Sequence, residues 1–322
     1  MTNIGIVGYG NLGKSCEVIV HEDDRFNLVG IFTRRNVEDM VSPYSTAFFP
    51  QEDLWKFVGD IDVLVLCTGS ANDLVPLALN VCRQFNTVDC FDNHEKMREY
   101  VEALDNATKV SGHLSVVGVG WDPGLFSLVR GLFEGCIMGK AHTFWGEGVS
   151  QGHSEAVRKL KGVKMAVQYT IPKEDAIESV KKGAGDNLTK YDKHKRVCYV
   201  VAEENADKSQ IENEIKKMPD YFLGYKTEVY FVDESEFLKN HNHLSHGGRV
   251  LCSKNISGCL SKAEFELKLD SNPYFTARVL MSYAICTHNL FKKGERGAKT
   301  ILDIPIAALF EGNRLDIIEK YL

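Results

Sequence analysis

The chain has 322 residues, of which 44% are hydrophobic and 25% charged, and its formal net charge is −6. This length and composition predict a folded chain with two domains, and the negative charge argues against a nucleic-acid binder, since such proteins are usually basic. The absence of a long apolar run and of a secretory leader pattern predicts a cytoplasmic protein, in which the nine cysteines, none in a C-x-x-C pair, are reduced thiols.

The first element is an apolar run, residues 4–7, that is followed by Gly8, Gly10 and Gly13 in G-x-G-x-x-G spacing. This order predicts a strand, a tight turn and a helix. Gly8 permits the turn, Gly10 lets a pyrophosphate approach the backbone, and Gly13 allows close packing of the helix. Glycine-rich turns are common, but one between a strand and a helix favours a dinucleotide site.

The second predicted strand, residues 26–32, ends in Thr33, Arg34 and Arg35. An NAD-binding chain usually has an acidic residue about 20 positions after the fingerprint, where this chain has Thr33. Guanidinium groups can hold a 2′-phosphate by charge-assisted hydrogen bonds, whereas a carboxylate would repel it. The alternative is a solvated pair of surface arginines. We expect NADP as the cofactor.

Three more strands are predicted at residues 60–67, 86–91 and 114–119. They are followed by the small residues 68–71, by Asp92 and by a turn that contains Asp122. Alternating strands and helices predict a doubly wound parallel sheet, whose strand ends converge on the ligand crevice. Asp92 and Asp122 are therefore expected near the nicotinamide. Two alternatives stay open, namely that Asp92 caps a helix and that Asp122 belongs to an ordinary turn.

After Gly124 the chain offers several candidate ligand groups. Trp145 and His153 stand in a glycine-rich stretch, which favours a ligand loop over a buried core. Arg196 ends a basic trio that suits a carboxylate or, alternatively, a solvated face. We reject a metal site in the histidine cluster at 241–246, because no carboxylate or thiol has ligand spacing, and interpret His246 as a ligand-facing residue.

Taken together, these motifs resemble the meso-diaminopimelate dehydrogenases, NADP-dependent enzymes of bacterial lysine biosynthesis, over essentially the whole chain. The carrying motifs are residues 8–13, Phe91-Asp92-Asn93-His94, Gly120-Trp121-Asp122-Pro123-Gly124, Thr143-Phe144-Trp145-Gly146, Ser150-Gln151-Gly152-His153-Ser154, Val167-Gln168-Tyr169-Thr170, His194-Lys195-Arg196, Met218-Pro219-Asp220-Tyr221-Phe222 and His246-Gly247-Gly248.

The resemblance implies a homodimer with a Rossmann-like doubly wound α/β domain and a second α+β domain. Residues 1–118 with about 273–322 would bind the dinucleotide, and residues 119–272 would bind substrate and form the dimer. The implied reaction is the reversible oxidative deamination of meso-2,6-diaminopimelate at its D-centre, which yields L-2-amino-6-oxopimelate and ammonia.

The resemblance also implies roles for individual residues. Asp92 and Asp122 would hold the reacting amine. The neighbouring carboxylate would contact Trp145, Gln151 and Gly152. The distal L-centre would contact Thr170, Arg196, His246 and Asn272. The cofactor would contact Gly8, Tyr9, Gly10, Asn11, Leu12, Gly13, Thr33, Arg34, Arg35, Cys67, Thr68, Gly69, Ser70, Cys90, Phe91, Gly120, Trp121 and Pro123.

A base must take a proton from the ammonium, because hydride loss requires the free amine. Asp92 is the first candidate and His153 the second, and the sequence does not rank them. Thr33 replaces a serine that is frequent in this family, with the hydroxyl kept, and the direction of Glu147 is open. The alternatives are a broader D-amino-acid dehydrogenase and a non-catalytic NADP-binding sensor.

Overall fold

A computed structural model describes residues 1–70, 72–241, 245–310 and 312–322. It divides into two compact units. Unit 1 comprises residues 1–128 and 273–322, and unit 2 comprises residues 129–272. Within these described ranges, no helix combines the length and the apolar character needed to cross a bilayer.

The strands and helices are numbered in chain order. The strands are β1 Thr2–Val7, β2 Phe26–Thr33, β3 Phe48–Pro50, β4 Val63–Leu66, β5 Asn86–Asp89, β6 Leu114–Val117, β7 Ala141–Trp145, β8 Gly148–Val149, β9 Val163–Pro172, β10 His194–Ala202, β11 Lys226–Phe231, β12 His246–Ile256, β13 Cys259–Leu269 and β14 Gly297–Thr300. The α-helices are α1 Asn11–Glu22, α2 Leu74–Val81, α3 Met97–Ser111, α4 Leu125–Ile137, α5 Gln151–Arg158, α6 Glu174–Lys181, α7 Lys190–Lys193, α8 Lys208–Lys217, α9 Glu234–Asn240, α10 Asn272–Lys292 and α11 Arg314–Tyr321.

Unit 1 contains a parallel sheet in the order β14-β6-β5-β4-β1-β2-β3. The order reverses between β1 and β4, which is the switch point where doubly wound sheets bind ligands. Every residue of β4 is buried, as expected for a strand covered on both faces. The predicted Rossmann-like sheet is confirmed.

Two hydrophobic clusters hold this sheet between its helices. Side chains of α1 and α10 pack with Ile4 and Ile6 on one face. Side chains of α2 and α3 pack with Val7 and Leu64 on the other face. Burial of these apolar side chains, at about 25 cal/mol per Å² of surface removed from water, is what fixes the helices on the sheet.

Unit 2 contains two smaller sheets, which agrees with the α+β class predicted for it. The first has the order β11-β10-β9-β8, and the second has the order β13-β12-β7. In the first sheet β9 and β10 are antiparallel, with Thr170 paired to Arg196. This register places two of the predicted ligand residues side by side on neighbouring strands.

The chain passes from unit 1 to unit 2 between Leu128 and Val129. Residues 119–128 belong to compact unit 1, because Val119 lies in its hydrophobic core and its amide donates to the Asp89 carbonyl oxygen at 2.8 Å. The chain returns to unit 1 between Asn272 and Pro273.

Candidate functional site

The glycine turn after β1 has the geometry expected of a pyrophosphate site. Gly8 has a φ of +97°, a left-handed conformation that glycine adopts without strain. A Cβ on Gly13 would lie 2.1 Å from the Gly8 carbonyl oxygen, so α1 can approach the turn only with glycine there. A Cβ on Gly10 would meet no atom within 4 Å. The backbone at Gly10 is therefore open to a ligand.

The two arginines after β2 have different partners in the structure. Arg35 donates to the Tyr9 carbonyl oxygen at 2.5 Å, and its amide donates to the Thr33 hydroxyl at 3.1 Å. Arg34 donates to the Asp73 carboxylate at 2.9 Å, and 63% of its side chain is exposed. This ion pair raises the pKa of Arg34 further. Arg35 thus supports the glycine turn, whereas Arg34 remains accessible to a phosphate.

Buried polar contacts beneath the turn fix Tyr9, and no sequence motif indicates them. The Tyr9 hydroxyl donates to Glu17 at 2.5 Å, and the Ser42 hydroxyl donates to the other Glu17 oxygen at 2.5 Å. The Tyr9 ring packs edge-on against Phe48. Only the Tyr9 backbone can therefore face a cofactor. A glutamate inside an amphipathic helix carries no sequence signal for such a role.

The residues after β4 lie beside the loop that carries Asp92. The Thr68 hydroxyl oxygen is buried without a hydrogen-bond partner, and the Ser70 hydroxyl accepts from the Asp92 amide at 3.4 Å. An unsatisfied buried hydroxyl is costly unless a ligand completes it. Asp92 does not cap α3, which begins at Met97 after an Asn93 side chain that accepts from the Lys96 amide. The structure thus argues against the capping alternative for Asp92.

The turn that carries Asp122 is closed by glycine. Trp121 and Gly124 form a backbone bridge, and a Cβ on Gly124 would lie 1.9 Å from the Gly120 carbonyl oxygen. Gly120 itself lies close to Cys90, since its Cβ would be 3.9 Å from that of the cysteine. The loop with Asp92 and the loop with Asp122 therefore lie side by side in unit 1.

Phe91 is buried against Tyr100, so only its backbone remains for a cofactor.

In unit 2, Arg196 is a buried cation that its own polypeptide satisfies only in part. Its side chain donates to the Thr170 hydroxyl and lies over the Tyr225 ring, with 4.3 Å between the guanidinium carbon and the ring centroid. Its Nε is buried without a partner, and no carboxylate of the described ranges lies within ion-pair distance of it. Burial lowers the pKa of Arg196. A buried guanidinium in this state can bind an anion.

Three histidines near Arg196 are neutral. Burial is the main cause, and the positive charge of Arg196 adds to it. The pKa is lowered to about 3 for His153, to about 3 for His194 and to about 4 for His246. Their neutrality leaves the guanidinium as the charge that selects a ligand, because the imidazoles contribute hydrogen bonds only.

The Trp145 loop is anchored by a residue that was not predicted as part of the site. The Trp145 amide donates to His194 Nε2 at 2.8 Å, and the two rings stack with 5.2 Å between centroids. A Cβ on Gly146 would lie 1.9 Å from the Thr170 carbonyl oxygen, so the loop packs directly on β9. Gln168, also on β9, keeps a buried carbonyl oxygen without a partner. These residues could not be predicted as neighbours, because they are distant in sequence and only the folding of the strands brings them together.

The other predicted substrate residues lie at the starts of helices and strands. Gln151 and Gly152 begin α5, and a Cβ on Gly152 would meet no atom within 4 Å. His246 begins β12, where its Nδ1 accepts from the Gly247 amide at 2.7 Å. Asn272 begins α10.

The histidine cluster at 241–246 is described only in part, since residues 242–244 lie outside the described residues. The His241 ring stacks on Tyr199 with 3.9 Å between centroids, and its Nδ1 lies 3.0 Å from the Tyr169 hydroxyl. Among the residues that the structure describes, no group of three histidine, cysteine or acidic side chains could hold a metal ion.

Comparison with known proteins identifies the family. The chain is 48% identical to the meso-diaminopimelate D-dehydrogenase of Lysinibacillus sphaericus, over 95% of this chain and 94% of that protein. The chain belongs to the meso-diaminopimelate D-dehydrogenase family. The family model of the diaminopimelic acid dehydrogenase C-terminal domain matches residues 120–271.

Two solved structures of related dehydrogenases show the same fold. The Corynebacterium glutamicum diaminopimelate dehydrogenase in complex with diaminopimelate has a TM-score of 0.94 and 40% identity, over 100% of this chain and 99% of that chain. An engineered D-amino acid dehydrogenase bound to NADP⁺ has a TM-score of 0.90 and 39% identity, over the same shares of the two chains. The predicted family resemblance is confirmed.

Proposed function

We propose that this chain catalyses the NADP-dependent, reversible oxidative deamination of meso-2,6-diaminopimelate at its D-centre, which yields L-2-amino-6-oxopimelate and ammonia. One observation carries the proposal most directly. Arg196 is a buried cation without a protein carboxylate among the described residues, as a substrate with a second, distal carboxylate requires. In the proposed pose the Trp145 loop binds the carboxylate at the D-centre, so a simple amino acid would leave this charge without an anion.

The proposed cofactor is NADP, for which unit 1 has suitable groups. The open backbone at Gly10 and the unsatisfied Thr68 hydroxyl suit the dinucleotide, and the exposed Arg34 suits a 2′-phosphate. When bound, the nicotinamide supplies the acceptor for the hydride. The engineered relative solved with NADP⁺ supports this choice.

The proposed proton acceptor is Asp92. The reacting ammonium must lose a proton before the hydride leaves, and a carboxylate beside it can both hold and deprotonate it. His153 fits this role less well, because burial lowers its pKa to about 3 and keeps the imidazole uncharged, so it would not attract the ammonium as a carboxylate does. Asp122, on the neighbouring loop, would hold the same amine and fix which hydrogen faces the cofactor.

The remaining substrate contacts are proposed for unit 2. Trp145 with the Gln151-Gly152 backbone would bind the carboxylate at the D-centre. Thr170, Arg196, His246 and Asn272 would bind the L-centre at the other end. Recognition of both ends of the substrate explains how the enzyme can select one of two chemically similar centres.

We also propose a cytoplasmic homodimer. Unit 2 exposes several large apolar side chains, which oligomers commonly cover at their interfaces. They are Leu132 at 61%, Met138 at 72%, Ile256 at 49% and Leu260 at 51% exposure. Sedimentation of the purified chain at several concentrations tests this part of the proposal.

The test of the function is an absorbance assay of reduced nicotinamide with meso-, LL- and DD-diaminopimelate, D-alanine, NADP and NAD. We expect turnover with the meso isomer and NADP, and none with the LL isomer. Equal turnover of D-alanine would indicate the broader D-amino-acid dehydrogenase instead. Binding of NADPH without any turnover would indicate the non-catalytic sensor.

A further inference from the structure

Asp89, the last residue of β5, is a fully buried carboxylate to which the proposed reaction gives no role. Its Oδ1 accepts from two backbone amides, that of Phe91 at 2.9 Å and that of Gly118 at 3.3 Å. Its Oδ2 accepts from the Tyr100 hydroxyl at 2.7 Å. One side chain therefore joins the ends of two neighbouring strands and the helix α3 that lies between them in the chain.

The two amides belong to the loops that carry the proposed amine-binding carboxylates. Phe91 directly precedes Asp92, and Gly118 lies four residues before Asp122. The backbone of Asp89 adds a third link, because its carbonyl oxygen accepts from the Val119 amide at 2.8 Å. A single oxygen that bonds both loops sets the distance between them more directly than separate contacts would.

The cost of this arrangement supports a functional reason for it. Burial raises the pKa of Asp89 to about 6, and its hydrogen bonds offset the effect only in part. An ionised carboxylate at this position therefore lowers the stability of the fold. The carboxylate is present despite this cost, and it is the acceptor that the two loop amides share.

We propose that Asp89 is a positioning residue, whose carboxylate holds the loops of Asp92 and Asp122 in the relative placement that the bound amine requires. This inference rests on the proposed function. Because Asp89 is fully buried, it would contact neither substrate nor cofactor and would act only through the Phe91 and Gly118 amides.

The test compares three variants of the full chain with the parent. Asp89→Asn keeps an oxygen that can accept from both amides, whereas Asp89→Ala removes it. Tyr100→Phe is the matched control, because it removes the bond to Oδ2 and leaves both loop bonds in place. For each variant, kcat and KM for meso-diaminopimelate, the dissociation constant of NADPH and amide hydrogen exchange are measured.

We expect Asp89→Ala to lower kcat about 100-fold, as misplacement of catalytic groups by about 1 Å does, with NADPH binding changed less than about threefold. Exchange at the Phe91 and Gly118 amides should accelerate together. Asp89→Asn and Tyr100→Phe should keep kcat within about tenfold of the parent, because the shared oxygen remains.

Three results would overturn the inference: an equal loss of kcat in Asp89→Ala and Tyr100→Phe, an unchanged kcat in Asp89→Ala, or exchange that accelerates at only one of the two amides. If Asp89→Ala does not fold, Asp89→Ser replaces it, since its shorter hydroxyl cannot reach both amides. A parent without turnover would refute the proposed function, and hydrogen exchange would still test the link between the loops.

Discussion

Each unit contains a buried ionisable side chain, and the two differ in how completely the protein provides their hydrogen-bond partners. Asp89 of unit 1 is fully buried, and three donors of the protein satisfy its carboxylate. Arg196 of unit 2 is 6% exposed. Its guanidinium contacts the Thr170 hydroxyl and the Tyr225 ring, and its Nε has no hydrogen-bond partner. The hydrogen-bond donors of Asp89 all come from the protein, whereas the incomplete set of partners around Arg196 indicates a ligand.

The difference predicts opposite costs when the charges are removed. Loss of the Asp89 carboxylate leaves two buried amides and a tyrosine hydroxyl without their acceptor. Loss of the Arg196 guanidinium leaves no protein charge unpaired among the described residues, and removes a group that is costly to bury. Stability and activity should therefore respond separately in unit 2.

The largest expected effect is that of Arg196→Leu. We expect kcat/KM for meso-diaminopimelate to fall about 100- to 1000-fold, because the substrate carboxylate loses a buried charged partner. The melting temperature should stay equal or rise, and the dissociation constant of NADPH should change less than about twofold. Steady-state kinetics, cofactor fluorescence and calorimetry measure the three quantities.

Arg196→Lys is the matched control for this prediction, since it keeps the charge and loses the planar fork of donors. Its kcat/KM should lie between those of the parent and Arg196→Leu. A lower melting temperature of Arg196→Leu together with an unchanged kcat/KM would mean that Arg196 stabilises the fold and does not bind the substrate.

An intermediate effect is expected at the two arginines after β2. Arg34→Ala should reduce the preference for NADP over NAD about tenfold, because it would remove the proposed charge-assisted bond to the 2′-phosphate. Arg35→Ala should weaken the binding of NADP and NAD to a similar extent, since Arg35 donates to the Tyr9 carbonyl oxygen in the glycine turn. Dissociation constants for both cofactors give these ratios.

Asp73→Asn sharpens this prediction, because Asp73 accepts from Arg34 and would compete with a 2′-phosphate for it. The ion pair is exposed, so we expect only about a two- to threefold gain in NADP affinity. A loss of NADP affinity in Asp73→Asn would instead show that the pair holds Arg34 in its binding position.

Asp89 should also contribute a pH dependence to the stability of the fold, without an effect on substrate or cofactor preference. Its folded-state pKa of about 6 lies above the ordinary value of 3.8, and the gap corresponds to about 3 kcal/mol. Because the folded state holds this proton more tightly, the contribution is fully present below pH 3.8 and disappears as the pH rises through 6. The electrostatic neighbours Tyr100 and Cys90 remain protonated over this range, since burial raises both of their pKa values.

Between about pH 5 and 7.5, the free energy of unfolding of the parent should therefore fall by about 1 kcal/mol relative to that of Asp89→Asn. Its melting temperature should fall by a few degrees relative to that of the variant. Calorimetry of both proteins in the same buffers measures the difference. A constant difference over this range would show that Asp89 has an ordinary pKa and carries no burial cost.

The predictable part of the molecule follows from local sterics and strand order. Gly8 and Gly13 could be assigned from their spacing, because only glycine fits the turn and the helix contact. The nearness of the Asp92 and Asp122 loops could be predicted, because parallel strands end on the same edge of a sheet. Neither inference needs the position of a side chain from elsewhere in the chain.

The unpredictable part depends on partners that are distant in sequence. Arg34 and Arg35 are equivalent in the sequence pattern. They differ in the structure because Arg34 donates to Asp73, which lies 39 positions further along the chain. His194 supports the Trp145 loop from 49 positions away. Asp89 could not be separated from the polar residues that commonly follow a strand. Only the register of the strands and the packing of loops decide such roles.

The position of β14 affects how the chain folds during synthesis. β14 and α10 belong to unit 1 but lie after residue 272, so a nascent chain completes unit 2 before it contains them. Until then the face of the sheet with Ile4 and Ile6 lacks the apolar cover that α10 provides. The ribosome thus makes the glycine turn well before α10, the helix that covers this face of its sheet.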